Sequence, residues 1–258
     1  MMSRTPPHRV VSLVPSLTEA LARTAPGLLV GATDWCSEPA GLDVVRIGGT
    51  KNPDTERIAA LAPDLVLANE EENREPDLAA LRAAGIAVLV TEVRTLPQAF
   101  RELERVLVHG CGLARPPWLD AAEAAWRELP VPAAIGVSPA RTELRAWGRT
   151  AVVPVWRRPW MVLGRDTFAG DLLARLGVRH HYADHADRYP RIPLDALLAC
   201  GADLVVLPDE PYRFSAEDGP EAFPGLPAAL VSGRYLTWYG PSLVRAPAEL
   251  SGALAAAR

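Results

Sequence analysis

One segment of the chain occurs twice, and it restricts the possible folds more than any other feature. Leu61-Ala62-Pro63-Asp64-Leu65-Val66-Leu67-Ala68-Asn69-Glu70-Glu71 returns as Cys200-Gly201-Ala202-Asp203-Leu204-Val205-Val206-Leu207-Pro208-Asp209-Glu210. A single offset of 139 residues takes Asp64 to Asp203, Glu70 to Asp209 and Glu71 to Glu210. The same offset carries Glu56 to Asp195 and Ile58 to Leu197 in the stretch before each copy. Each copy reads as a short apolar helix, a turn holding an Asp, a strand of aliphatics and an acidic exit. Strands apolar on both faces and fed by helices belong to parallel sheets covered on both sides. The pair therefore predicts two similar α/β lobes, each with a parallel sheet flanked by helices, in place of one long sheet.

The 258 residues are enough for two such lobes. A net charge of −4 argues against a nucleic-acid partner, which normally meets a basic face. Cys36, Cys111 and Cys200 are odd in number and widely spaced, which disfavours a disulfide framework or a zinc cage. No run approaches the roughly 18 apolar residues of a membrane span. Met1 to Arg9 lacks the apolar core of a secretory signal, so the chain as written is expected in the cytoplasm. It is expected to be a monomer with no intrinsic cofactor.

Val10 to Val14 reads as the first strand, and Pro15-Ser16-Leu17-Thr18-Glu19 as a helix start with Ser16 as N-cap and Glu19 closing a capping box. Further strands are predicted over 28–32, 86–90, 151–155, 178–182 and 226–231, besides the two repeat strands. Helices are predicted over 75–84, 96–108, 117–129, 167–176, 193–199 and 246–257, the first ended by Gly85. Ala133 to Val137 reads as a strand and 139–148 as a loop or short helix. The organisation expected is an N-terminal α/β lobe over 9–96, a helical linker over 97–130 and a C-terminal α/β lobe over 131–258.

Ligands of parallel sheets sit beyond the carboxyl ends of the strands. The residues leaving strands on that side include Ser16, Trp35, Asn69, Glu70, Trp156, Arg157, Trp160, Tyr212, Trp238 and Tyr239. If the lobes face each other, these line one cleft of aromatics with sparse polar groups, which suits a small molecule. His181 and His185, in His180-His181-Tyr182-Ala183-Asp184-His185, are weak metal candidates, because a strand and loop would splay them. The acidic run from Glu70 to Glu75 reads either as a solvated helix N-terminus or as a contact surface, with Glu75 meeting an Arg-bearing partner. Neither a G-x-S-x-G nor a phosphate-binding glycine loop is present, and Ser12 and Ser16 lack a positioned His, so no nucleophilic constellation is legible.

Val10 to Glu19 and Asn52 to Leu67 resemble the opening strand-helix and the second signature of the class III solute-binding proteins of ABC importers. This group includes vitamin B12 and iron-siderophore receptors. The resemblance is nearest to the helical backbone metal receptor branch, through Trp156-Arg157-Arg158-Pro159-Trp160-Met161, Asp209-Glu210-Pro211-Tyr212 and Trp238-Tyr239-Gly240. It implies two lobes joined by a helical backbone and the non-enzymatic binding of a metal chelate, cobalamin or another corrinoid first and a ferric siderophore second. On that reading Trp35, Trp156, Trp160, Tyr212 and Trp238 stack on the ligand, and Arg157 and Asn69 supply polar contacts. Ser16 with its helix N-terminus holds an anionic group. Glu75 and Glu217 are candidates for docking a partner, and the resemblance implies an ABC permease among the partners. The alternatives are a cytoplasmic corrinoid- or metal-handling protein or enzyme on the same fold, and a docking module in which Glu75 and the acidic 217–221 stretch meet an Arg-rich partner.

Overall fold

A computed structural model describes residues 6–129 and 148–257. The strand expected over 133–137, and all but the last residue of the 139–148 segment, lie outside the described residues. The chain divides into two compact units. One comprises residues up to Val93 with Pro97–Glu123 and Tyr239–Pro241; the other comprises Arg94–Leu96, Ala124–Trp238 and Ser242 onward. Among the described residues no helix is long and apolar enough to cross a membrane.

In the first unit five strands form one sheet: β1 (Val10–Ser12), β2 (Leu29–Ala32), β3 (Val45–Arg46), β4 (Leu65–Asn69) and β5 (Val88–Thr91). Their order is β3-β2-β1-β4-β5 and every neighbouring pair is parallel. The first repeat strand, β4, is buried at every position, as a central strand covered on both faces must be. One side of the sheet packs Val11, Leu13, Val66 and Ala68 against Ile58 of helix Thr55–Ala60 and Leu78 and Leu81 of helix Glu75–Ala83.

The second unit holds β6 (Arg149–Val152), β9 (Val178–His180), β10 (Leu204–Pro208) and β11 (Ala228–Val231), again all parallel, in the order β11-β10-β6-β9. The segment expected to be a single strand over 151–155 is two. β6 ends at Val152, and the chain turns at Val153 into β7 (Pro154–Arg157), which pairs antiparallel with β8 (Trp160–Val162). The Trp156–Trp160 exit is thus a hairpin and not a loop. Its core gathers Val152, Val162, Leu197, Val205, Leu207, Phe214 and Phe223.

The repeated Asp does the same work in both units. Asp64 Oδ2 accepts the backbone N–H groups of His8 (2.8 Å) and Arg9 (2.9 Å), just ahead of β1. Asp203 Oδ2 accepts the N–H (2.7 Å) and hydroxyl (2.9 Å) of Thr150, in β6. Each Asp also donates its own N–H to the same neighbour, Arg9 O at 2.8 Å and Thr150 O at 2.9 Å. A carboxylate before one central strand therefore sets the register of the other. The two N–H donors hold the Asp64 carboxyl below its ordinary value of 3.8. A lowered folded pKa means that this contribution is complete at neutral pH and is lost as pH falls through the folded value. Asp64→Asn should lower Tm at pH 7 by a small margin that closes below about pH 3.8; an undiminished margin in acid would remove the charge from the account.

Two local expectations are corrected. The helix after β1 spans Pro15–Thr24 with Val14 as N-cap and no side-chain cap. Proline prefers the first helical position, having no N–H to satisfy and a helical φ, so Ser16 falls inside the first turn and the capping box does not form. The helix expected over 96–108 is α-helical only over Leu96–Glu104, and Arg105–Gly110 widens to a π turn. Gly110 there lies against Leu89, where a Cβ would come within 2.8 Å of its Cδ1. The short helix Gly233–Thr237 and strand β3 were not legible in advance.

Candidate functional site

In each sheet the direction of winding switches beside its first strand, between β1 and β4 in one unit and between β6 and β10 in the other. The carboxyl ends of such strands frame the crevice in which parallel sheets take ligands.

In the second unit that place is occupied by the β7–β8 hairpin and the 209–214 exit of β10. Trp156 is 42% exposed and meets Tyr212 edge-on, with ring centroids 5.6 Å apart at 81°. Trp160 lies parallel to Phe214 (6.1 Å, 5°) and edge-on to Phe223 (5.3 Å, 75°). Tyr212 in turn touches Phe214 at 4.7 Å. Five rings therefore form one connected group whose inner members, Phe214 and Phe223, are buried and whose outer member, Trp156, faces solvent. Arg157 is pinned within it. Its guanidinium lies 5.5 Å from the Trp160 ring centre and forms ion pairs with Asp218 and Glu221. Asp218 also accepts the Tyr212 hydroxyl at 2.6 Å. The Gly219 N–H, followed by Arg157, holds the Glu221 carboxyl below its ordinary range. The acidic 217–221 stretch, read from sequence as a docking surface, thus turns two carboxylates onto Arg157. Glu217 stays exposed, accepting the Ser215 hydroxyl at 3.0 Å.

Trp238 is only 6% exposed, and its indole N–H donates to Glu210 Oε2 at 2.9 Å. Burial pushes the Glu210 carboxyl above its ordinary range, partly offset by that N–H. Neighbouring Asp209 accepts the Gly233 N–H at 2.6 Å, tying the β10 exit to helix Gly233–Thr237.

In the first unit Trp35 is 69% exposed, and the turn that projects it is fixed from behind. Buried Cys36 Sγ lies 3.0 Å from the Thr18 hydroxyl and 3.1 Å from that of Thr33, while Arg46 donates to the carbonyls of Thr33 and Cys36, both at 2.9 Å. Burial raises the Cys36 thiol, so it stays protonated at neutral pH. Asn69, at the end of β4, is buried with its amide engaged. Nδ2 donates to Thr91 O (3.1 Å) and Oδ1 accepts the N–H groups of Glu71 (2.8 Å) and Glu72 (3.3 Å). Asn73 continues the turn by accepting the Asn69 N–H and donating to Thr50 O, both at 2.9 Å. Tyr239 is buried with its hydroxyl 3.0 Å from Thr91 Oγ1, and burial raises its pKa far above the ordinary phenol value. The Ser16 hydroxyl is buried beside it and has no hydrogen bond of good geometry among the described residues. Glu70 is exposed at the rim of this turn.

The remaining candidates stand apart. Glu75 is exposed and pairs with Arg82 at 2.6 Å. His181 lies edge-on to Tyr182 at 4.9 Å, and His185 Nδ1 accepts the Asp187 N–H at 3.0 Å. Among the described residues no three His, Cys, Asp or Glu side chains are grouped to hold a metal ion. Sequence reasoning missed Phe223, and it gave the stretch that holds Asp218 and Glu221 to an outside partner and not to Arg157. The signal for the last two was present, since an Arg in an aromatic exit needs carboxylates nearby, but their partner lies 61 and 64 residues away.

No family model matches the chain. A vitamin B12-binding protein of Vibrio cholerae is 30% identical over 101 residues, 38% of this chain and 37% of that protein. An uncharacterized ABC transporter substrate-binding lipoprotein of Bacillus subtilis is 33% identical over 104 residues, 39% of this chain and 33% of that one. The matched stretch thus spans about a third of the length of these curated relatives. Among solved structures, a periplasmic heme-binding protein from Pseudomonas aeruginosa superposes with a TM-score of 0.72 at 24% identity, covering 98% of this chain and 94% of that one. The periplasmic vitamin B12-binding protein of Vibrio cholerae does so with a TM-score of 0.68 at 16% identity, covering 97% of each. The fold of the chain is the fold of these proteins, and its relatives are the solute-binding proteins the sequence resembles. Their names are those of binding proteins, set in the periplasm or on a lipid anchor, and lend the cytoplasmic expectation no support.

Proposed function

We propose that the chain is a non-enzymatic receptor that binds a metal chelate, a corrinoid or a ferric siderophore, and presents it to an ABC permease. The observation that carries this reading is the aromatic group at the carboxyl ends of β6 and β10, with Trp156 turned to solvent and Trp160 and Arg157 held behind it. An outward-facing aromatic platform with few polar groups offers a flat or apolar ligand large contact area at small entropic cost. Relatives and neighbours named for vitamin B12, heme and ABC transport support the same class of ligand and partner.

Within this reading Trp156, Trp160, Tyr212 and Arg157 touch the ligand in the second unit, and Trp35 and Glu70 are the exposed candidates of the first. Asn69, Ser16, Tyr239 and Trp238, buried in the two units, shape the turns that present them. Glu75 and Glu217, both exposed, are the carboxylates offered to a permease. Calorimetric titration of the full chain with cyanocobalamin, hydroxocobalamin, ferric protoporphyrin IX and a panel of ferric siderophores tests the proposal. Saturable one-to-one binding of one class is expected; the absence of binding across the panel would overturn it.

A further inference from the structure

A groove of about 570 Å³ lies beside the hairpin turn of the second unit, lined by Arg157, Arg158 and Arg191 with Pro159, Trp160 and Ile192 among its apolar residues. Its wall is held in place by backbone hydrogen bonds. Ile192 N donates to Trp160 O and Val162 N to Pro190 O, each at 3.1 Å, and Met161 forms an antiparallel bridge with Arg191.

The three arginines differ in one respect. Arg157 is neutralised by Asp218 and Glu221. Arg158 and Arg191 are exposed, and neither guanidinium has a hydrogen-bond or ion-pair partner among the described residues. Among the described residues no carboxylate lines the groove. Elsewhere Arg74, Arg82, Arg105, Arg115, Arg175 and Arg179 each meet an acidic side chain. Two uncompensated like charges lining one groove repel each other unless an anion joins them. Guanidinium forks match the two oxygens of a carboxylate, and the adjoining indole and proline rings suit a flat apolar body attached to it.

We propose that this groove receives the carboxylate-bearing edge of the ligand, so that the chelate is an anionic one and not a neutral corrinoid. The inference rests on the receptor reading above and narrows it. It selects between two ligand classes by charge at Arg158 and Arg191, outside the aromatic group that either class would use.

The test compares ferric protoporphyrin IX, which carries two carboxylates, with its dimethyl ester, and a carboxylate-bearing ferric siderophore with a neutral ferric trishydroxamate. Cyanocobalamin serves as the neutral corrinoid. Each is titrated into the full chain and into the Arg158→Gln/Arg191→Gln double variant. Both positions are exposed, so the variant should melt with the wild type. In at least one pair the acid should bind the wild type roughly tenfold more tightly than its neutral counterpart, the factor of one charge-assisted hydrogen bond. The double variant should lose that margin while neutral ligands bind it as before, and high salt should erode the same margin. Chelate binding without any acid preference, an acid preference that survives in the double variant, or cyanocobalamin as the tightest ligand would overturn the assignment while leaving the receptor standing. Failure of every chelate to bind would overturn the receptor reading itself, and this inference with it.

Discussion

Trp160→Ala should cost the chain about 3 kcal/mol of stability, while Trp156→Ala costs less than about 1 kcal/mol and at least tenfold in chelate affinity. The two tryptophans flank one hairpin turn and look interchangeable in sequence. Their surroundings are not alike. Trp160 lies against buried Phe214 and Phe223 and packs on the core that holds Val152, Val162 and Leu207. Its removal leaves a cavity of indole size and strips the Arg157 guanidinium of its aromatic partner. Being partly exposed, Trp160 belongs at the low end of the usual range for a large aromatic truncated to Ala. Trp156, with 42% of its surface in water and one edge-on contact to Tyr212, supports little besides what it touches outside the protein. Urea unfolding followed by tryptophan fluorescence, set beside calorimetric titration with the tightest chelate, separates the two effects. Equal stability losses would mean that the hairpin is held by its backbone alone; unchanged affinity in Trp156→Ala would remove that residue from the site.

Gly164→Ala is expected to be as damaging, about 3 kcal/mol or more, although it adds one methyl group. A Cβ at Gly164 would stand 2.1 Å from the Asp187 carbonyl oxygen and 2.9 Å from Pro190 Cδ. Neither neighbour is the free end of a flexible side chain, so the backbone itself must move. Two hydrogen bonds fix the approach: Gly164 N donates to Arg188 O at 2.7 Å, and the Gly164 carbonyl lies 2.9 Å from Nε2 of buried His180. Displacing 187–190 also displaces Arg191 and Ile192, which follow directly. The variant should therefore lose stability and, at temperatures where it remains folded, lose discrimination between acidic and neutral chelates. A melting temperature unchanged from wild type would show that the loop yields freely.

The repeat made the sheets legible because its signal is local. Asp64 and Asp203, the aliphatic runs after them and the helices carrying Ile58 and Leu197 each lie within a dozen residues of one another, and both copies form the same strand in the same register. The hairpin had one local mark, Pro154, which brings no N–H to a ladder and starts β7 directly after the turn at Val153; the aliphatic run on either side of it, Val152-Val153 and Val155, reads as one strand and hides the break. Candidate site residues sorted by burial, a quantity the sequence does not hold. Trp35 and Trp238 were read alike, yet one is 69% and the other 6% exposed. Asn69 looked like a polar group awaiting a ligand, and instead its amide closes the turn with Thr91, Glu71 and Glu72. Arg157 was recognised as polar among aromatics, but its carboxylate partners come from a loop distant in sequence, and such pairings are set by topology.

Tyr239 and Gly240 belong to the first unit, although the chain reaches them only after building most of the second. The Tyr239 hydroxyl meets Thr91, and a Cβ at Gly240 would come within 3.0 Å of the Ser16 carbonyl oxygen, so the late segment is fitted closely against the early one. On the ribosome the amino-terminal half cannot reach its final packing when its own residues emerge. The space around Ser16, Asn69 and Thr91 stays open to water until residue 239 has left the exit tunnel. Truncation just ahead of that residue would therefore injure the half of the molecule synthesised first.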